Sequence, residues 1–386
     1  MKILHTSDWH LGRSLHGYSL IEDQAYVLER LLEKIREDQV DLLVIAGDIY
    51  DKSIPTEAAV ELFNHFISKV TLEYKISTII ISGNHDSGER IDFGSKLFES
   101  QHLYIVGKCP KGYQKVTVKV QDEELDVFMI PYIEPAHVRE IAEDDTIKRH
   151  DEAMAYLIKA IENEKREVPT LLVAHAFVAG GDVSDSERRL SVVGGAELVS
   201  AQHFKNFTYT ALGHLHKRQA MGAENIRYSG SLLKYSVSEA NQKKGYVLLE
   251  IKNQKLVAIE EKELATKRNV RVLTGLLEEL IASASLDAHK DDYVFVRIKG
   301  VPVADVTATL RHIYPNILGS EWVKDEASGE AVEEQKQVDF MATKEKTVTE
   351  VFMEFLDFIG ETEFDEEETK YIKEIVQEIE EGKYEA

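Results

Sequence analysis

The sequence predicts an α/β fold in which a mixed sheet, or two packed sheets, is flanked by helices. Three observations predict it. Apolar runs of strand length recur as far as about Glu263, among them "KILHT", "DLLVIA", "STIII" and "TLLVA". Stretches with apolar residues at helical spacing separate the first of these runs. The later runs follow one another at shorter intervals, so helix-separated strands come first and closely spaced strands after them.

Element by element, "MKILHTS" reads as a strand. Residues 21–37 read as a helix, because Ile21, Ala25, Leu28, Leu31, Leu32 and Ile35 recur on one face. "DLLVIAG" is a buried strand, and "TEAAVELFNHFISKV" (56–70) is a second helix. "STIIIS", "DVFMIPY", "TLLVAHA", "FTYTALG", "IRYSG" and "GYVLLEI" complete the strands, so the first domain spans 1–264. Residues 265–325 change character to strand, helix, strand, helix, strand, a small separate α/β unit. "DEASGEAVEEQKQ" marks a solvated linker at 326–346. Residues 347–386 predict two helices, with stripes Val348, Val351, Phe352, Phe355 and Ile372, Ile375, Val376, Ile379, ending at Gly360 and Gly382.

Composition narrows the function. Of the 386 residues, 43% are hydrophobic and no apolar run reaches membrane-spanning length. There is one cysteine, Cys109, so an intrachain disulfide and a cysteine-based zinc site are excluded. The start lacks a signal-peptide pattern. These features predict a cytoplasmic protein without a membrane partner. The net charge of −23 does not suit a stand-alone nucleic-acid binder. The excess is uneven, however: residues 341–386 hold 5 Lys against 15 Asp plus Glu. No Gly-x-x-x-x-Gly-Lys-Ser/Thr loop is present, which argues against ATP hydrolysis by that route.

The residues just beyond each strand carry the chemistry. Asp8 and His10 come after the first strand as "DWH", and Asp48 and Asp51 after the second as "GDIYD". Asn84, His85 and Asp86 come after the third as "GNHD", "TLLVAHA" carries His175, and "GHLH" places His214 and His216 after a fifth. The C-terminal ends of strands are where open α/β sheets bind ligands. Carboxylate, amide oxygen and imidazole without thiolate suit divalent ions such as Mn²⁺ or Fe²⁺. Asp48 is a natural bridge, able to give one oxygen to each of two ions, and paired ions are the usual arrangement for phosphoester hydrolysis. A lone "DxH" or "HxH" is more often structural; five clusters in order on strand ends are not coincidence.

In that order the motifs resemble the calcineurin-like metallophosphoesterases. "SDWHLG", "GDIYDKSIP", "GNHDS", "GHLHKRQ" and "YSGSLLKYSVSE" narrow the match to the branch that supplies the nuclease subunit of a bacterial DNA-repair complex. The resemblance covers the whole chain, with no departure at a ligand position. It implies a two-sheet sandwich flanked by helices, a small capping domain, and a C-terminal helix pair that binds the coiled coil of an ATPase partner. It implies one ion held by Asp8, His10, Asp48 and His216, and a second by Asp48, Asn84, His175 and His214. His85 would be the catalytic histidine, with the Asp51 carboxylate behind it to orient and charge it. Mn²⁺ is the implied ion, and DNA ends and hairpins the implied substrate. A homodimer within a heterotetramer is implied, with helices 21–37 and 56–70 pairing between copies; alternatively those helices simply cover the sheet.

Two other functions are compatible with the same residues: a small-molecule phosphoesterase or nucleotidase, since fold does not fix substrate, and a scaffold whose metals serve only folding. The small α/β unit and the helix pair argue against the first. Arg13, Lys52, Arg90, Lys217 and Arg218 lie beside the motifs and are candidates for phosphate contacts or ordinary loop charges. His16 lies near enough to Asp8 to line the site. The remaining histidines, His5 included, read as packing or surface residues.

Overall fold

The computed structural model describes residues 1–187, 197–300 and 306–323, all within one compact unit, Met1–Asp325. The expected linker 326–346 and helix pair 347–386 lie outside the described residues. The strands that build the sheets are, in chain order, β1 (Lys2–Thr6), β2 (Leu42–Ala46), β3 (Ser77–Ile81), β4 (Leu103–Val106), β5 (Gln114–Val120), β6 (Glu123–Ile130), β7 (Thr170–His175), β8 (Tyr209–Gly213), β9 (Gln219–Met221), β10 (Ala223–Tyr228), β11 (Gly245–Lys252), β12 (Lys255–Glu263), β13 (Val270–Leu276), β14 (Tyr293–Lys299) and β15 (Ile317–Val323).

One six-stranded sheet runs β12-β11-β1-β2-β3-β4, parallel from β1 to β4 and antiparallel at β1, β11 and β12. The second runs β9-β10-β8-β7-β6-β5, parallel across β10, β8, β7 and β6. The two pack face to face. On β2, Leu42, Val44 and Ala46 point into the inter-sheet core beside Val127, Met129, Leu171 and Val173. The alternate residues Leu43 and Ile45 point outward under the helices. Each strand is thus apolar on both faces because both are covered, and the sequence shows an unbroken greasy run rather than alternation. Each such side chain stabilises the fold by roughly 1.5–3 kcal/mol on burial.

Helix α1 (Ile21–Glu37) buries Val27, Leu28, Leu31, Leu32 and Ile35 on the outer face of the first sheet. Helix α2 (Glu57–Ser68) starts at Thr56, whose hydroxyl accepts from the Ala59 amide, and continues as a π-helical turn over Lys69–Glu73. α2 buries only Ala59 and Phe66 completely.

β13, β14 and β15 form a parallel sheet with its own core of Leu280, Val294, Val296, Ile298 and Leu310. This unit joins the body at α1. Asp23 accepts from Tyr293 Oη at 2.9 Å and pairs with Arg268 at 2.7 Å, while Tyr18 Oη donates to the Ile317 carbonyl at 3.2 Å.

Candidate metal centre

The loops after β1, β2 and β3 are laced together by their main chains. Asp8 N–H donates to the Gly47 carbonyl, His10 N–H to Asp48 and Leu11 N–H to Ile49, at 2.9–3.0 Å. From the other side the Asp86 carboxylate accepts the N–H groups of Ile49 (3.1 Å), Tyr50 (2.9 Å) and Gly83 (2.9 Å). Asp86 is therefore the clasp that holds "GDIY" against "GNHD". Asp8, His10 and Asp48 all adopt left-handed backbone conformations, with φ of 54°, 43° and 51°. Each costs of order 1–3 kcal/mol for a non-glycine residue, and such strain concentrates at functional sites. Close approach explains two of the motif glycines. A Cβ on Gly83 would lie 2.1 Å from Asp48 Oδ1, and one on Gly213 would lie 1.9 Å from the Ala46 carbonyl.

The six ionisable residues expected as metal ligands converge in a nearly dry site: Asp8, His10, Asp48, His175, His214 and His216 are 0–5% exposed. Asn84 is half-buried. Asp8, His10 and His216 form one group whose ligand atoms lie within 4.8 Å of one another, and Asp8, Asp48 and His175 form another. His10 Nε2 lies 3.0 Å from His216 Nε2 and 3.6 Å from Asp48 Oδ2. On the other side His175 Nε2 is 3.5 Å from the same Asp48 Oδ2, and Asn84 Oδ1 is 3.0 Å from both His175 Nε2 and His214 Nδ1. Asp48 thus stands between two half-sites, but by one oxygen rather than one for each. Its Oδ1 is occupied by the main-chain N–H of His85 at 2.9 Å.

The donor set fits divalent cations. Imidazole nitrogens face one another and an amide oxygen at hydrogen-bond distance. Lone pairs set against one another in a buried site are costly unless a cation lies between them. The electrostatics agree. Burial drives His10 well below the usual imidazole range, and burial together with the neighbouring His175 drives His214 down to about 3. Burial also opposes charge on His175, but the Asp48 carboxylate outweighs it and holds the imidazole up at about 9.

His85 is buried at the rim, its ring centroid 4.6 Å from that of His10. Its Nδ1 lies 2.8 Å from the main-chain carbonyl of Asp51, which can only accept, so Nδ1 carries the proton. Here the structure differs from the expectation: Asp51 meets His85 Nδ1 through its backbone. The Asp51 carboxylate lies in the same cluster, with an oxygen within 4.8 Å of a ring nitrogen of both His85 and His10; it is 3.6 Å from His10 Nδ1 and 3.4 Å from the Arg13 guanidinium. The loop geometry puts the carbonyl of the residue after Tyr50 where a side chain was expected.

Among the basic candidates, Arg13 reaches over the site, donating to the Ser186 carbonyl at 2.8 Å with its guanidinium 5.1 Å from the Tyr235 ring centroid. Arg218 is spent on Glu261 and the Lys262 carbonyl, and Lys217 on Asp182. Lys52 and Arg90 are exposed. His16 is exposed on a groove that also includes Arg13 and Tyr235. His5 is a satisfied core residue between Tyr209 Oη and the Leu212 carbonyl, each at 3.1 Å.

Sequence reasoning missed the residues behind the ligands. His175 Nδ1–H donates to the Ala46 carbonyl at 2.9 Å. His214 N–H donates to the Asp8 carboxylate at 3.0 Å. Ser186 lies 2.6 Å from His216 Nδ1, and Glu187 accepts the His216 N–H at 2.8 Å. No residue type marks these groups in the sequence; "SEANQKKG", a charged stretch directly before a core strand, carries Glu239 and Lys244, which stand behind Ser186.

Residues 1–218 match the family model for the calcineurin-like phosphoesterases. The chain is 40% identical over 325 residues to the D subunit of the SbcCD nuclease of Staphylococcus saprophyticus, covering 82% of this chain and 84% of that protein. Among solved structures it resembles GAP50 of Plasmodium (14% identity, TM-score 0.40, 70% of this chain and 90% of that one). It also resembles TT1561 of Thermus thermophilus (16% identity, TM-score 0.39, 67% and 97%). A two-sheet sandwich, candidate metal ligands gathered at its strand ends and the match to the family and to the staphylococcal protein point the same way: the chain belongs to the calcineurin-like phosphoesterase family, in its SbcD branch.

Proposed function

We propose that the chain is a metal-dependent DNA nuclease subunit that hydrolyses phosphodiesters with two divalent ions, Mn²⁺ first among them, and works with an SbcC-type ATPase in DNA repair, recombination and replication. The observation that carries the reading is the single oxygen of Asp48, 3.6 Å from His10 Nε2 and 3.5 Å from His175 Nε2. Asp8, His10, Asp48 and His216 would hold one ion, and Asp48, Asn84, His175 and His214 the other. Such ions neutralise the phosphate and lower the pKa of water at the site.

The chain's own residues supply the rest. His85 is locked through Nδ1 by the Asp51 carbonyl, so Nε2 is the atom that exchanges a proton. As a water oxygen bonds to phosphorus and the P–O3′ bond breaks, the imidazolium form of His85 gives its Nε2 proton to the leaving oxygen and is left neutral with its proton on Nδ1. Burial of the site excludes bulk water and strengthens each of these interactions. Arg13 is placed to meet a phosphate at the rim.

The relative's place in a two-subunit complex supports an ATPase partner with a coiled coil, which would supply phosphate affinity that an acidic chain lacks. The helix pair proposed to bind it, 347–386, lies outside the described residues. A homodimer is proposed through the α2 face. Val60 (43% exposed), Leu72 (61%) and Phe93 (85%) line an apolar hollow of about 480 Å³ with Phe98, next to which in the chain Leu97 is 77% exposed. Contiguous exposed apolar surface of this kind marks an interaction site. α1 is the weaker candidate, because its apolar stripe is already in the core.

The test uses the purified chain with Mn²⁺, wild type beside His85→Ala, on a labelled duplex carrying a hairpin and on chromogenic phosphodiester and phosphomonoester substrates. DNA and diester cleavage by wild type, lost in the variant, is the expected result. Monoester hydrolysis without DNA cleavage, with or without the ATPase and ATP, would replace this reading with a small-molecule phosphoesterase.

A further inference from the structure

We propose that Ser186 and Glu239 are positioning residues that fix the tautomer of His216 and set the affinity of its half-site for a divalent cation. The inference rests on the two-ion reading above and deepens it.

Three buried groups stand in a row behind the ligand. His216 Nδ1 is 2.6 Å from Ser186 Oγ, and Ser186 Oγ is 2.5 Å from Glu239 Oε1. The other oxygen of Glu239 pairs with Lys244 Nζ at 2.5 Å. Glu239 has no exposed surface and Lys244 is 6% exposed. Lys244 Nζ also donates to the main-chain carbonyl of His216 at 2.8 Å, so the row closes on the residue where it began.

Direction follows from what each group can do. Lys244 Nζ sits among Glu239 Oε2, the His216 carbonyl, Ser231 Oγ and Gln242 Oε1 at 2.5–2.9 Å, an ammonium ringed by acceptors, and Glu239 is the carboxylate of that pair. An ionised carboxylate only accepts. The single hydroxyl proton of Ser186 therefore points at Glu239, and the hydroxyl oxygen is left to accept from His216. Nδ1 must then carry the imidazole proton and Nε2 the lone pair, aimed at His10 Nε2 3.0 Å away. His175 reaches the same tautomer through a main-chain carbonyl. His216 reaches it through two side chains from distant parts of the chain, which substitution can remove. A carboxylate behind a ligating imidazole also raises its basicity, and loss of such a partner typically weakens metal affinity about 10–100-fold.

The experiment is Mn²⁺ titration by calorimetry of the full chain as wild type, Ser186→Ala, Ser186→Thr and Glu239→Gln. It is joined to ring ¹⁵N spectra of His216 in the metal-free chain. Wild type should bind two ions. Ser186→Ala should weaken one of them about 10–100-fold and leave the other within about threefold, with the His216 ring shifts moving toward a mixed tautomer. Ser186→Thr should restore both readouts because it restores the hydroxyl. Glu239→Gln should weaken the same ion, and carries the test if the alanine variant does not fold. Two unaltered ions and unaltered ring shifts in Ser186→Ala would overturn the relay while leaving the two-ion reading intact. So would equal weakening of both ions in a folded variant. A wild-type chain that binds no Mn²⁺ would overturn both.

Discussion

Asp48 Oδ1 accepts the main-chain N–H of His85 at 2.9 Å. The residue placed between the two half-sites therefore also fixes the backbone of the proposed proton donor. Asp48→Asn should lose on both counts, because the amide carries no charge and has one acceptor oxygen in place of two. Both Mn²⁺ equivalents should weaken and DNA cleavage should fall at least about 100-fold, or about 2.7 kcal/mol of transition-state stabilisation. Metal stoichiometry beside initial rates checks it; an active variant that retains two ions would contradict it.

Gly83→Ala should damage the site without replacing any of the expected ligands. Its Cβ would lie 2.1 Å from Asp48 Oδ1 and 2.4 Å from the Asp48 nitrogen, so the "GD" and "GN" loops must separate. Overpacking of this kind costs roughly 1–3 kcal/mol. Urea unfolding should show that loss, together with weakened Mn²⁺ binding. Full stability with normal metal binding would mean the loops are less tightly laced than their hydrogen bonds indicate.

His5 should make the fold acid-sensitive. Burial, its largest influence, lowers the imidazole to about 3 despite the Leu212 carbonyl, from 6.5. The unfolded chain then binds the extra proton first. The stabilisation is complete above about pH 6.5 and is lost as pH falls from there toward 3. At pH 5 the loss from this residue alone is about 2 kcal/mol. Urea unfolding at pH 7 and pH 5 should show a pH-dependent loss smaller by that amount in His5→Gln than in wild type. An equal loss in both would remove His5 as the cause.

The exposed face beside α2 predicts a dimer broken by charge. Phe93→Glu and Leu97→Glu should yield monomers by sedimentation equilibrium. Stability of the monomer fold should stay within about 0.5 kcal/mol, since both side chains are surface groups in the single chain. A wild-type chain that sediments as a monomer would refute this face as a self-association surface.

What the sequence made legible is a consequence of burial. The strands that deliver the candidate ligands, β1, β2, β3, β7 and β8, are central and covered on both faces, so each reads as an apolar run ending in Asp, Asn or His. The four strands that reading leaves out, β4, β5, β9 and β12, are the edges of the two sheets. β12, "KLVAIEEKE", is half exposed; its one short apolar run, Leu256–Ile259, gives way to four charged residues, so it does not read as a core strand. The ligand types were legible because coordination chemistry restricts them. Their support was not. Ser186 and Glu239 lie 30 and 23 positions from His216 in the chain and meet it only through tertiary packing. The Asp51 contact to His85 Nδ1 is made by a carbonyl, which every residue possesses, so no residue type could reveal it.

Two ions joined at Asp48 are the central claim, and anomalous diffraction from Mn²⁺-loaded crystals tests it most directly. The account predicts two peaks about 3.5–4 Å apart, on either side of Asp48 Oδ2, one against His10 and His216 and the other against Asn84, His175 and His214. A single peak at full occupancy, or peaks away from Asp48, would contradict it.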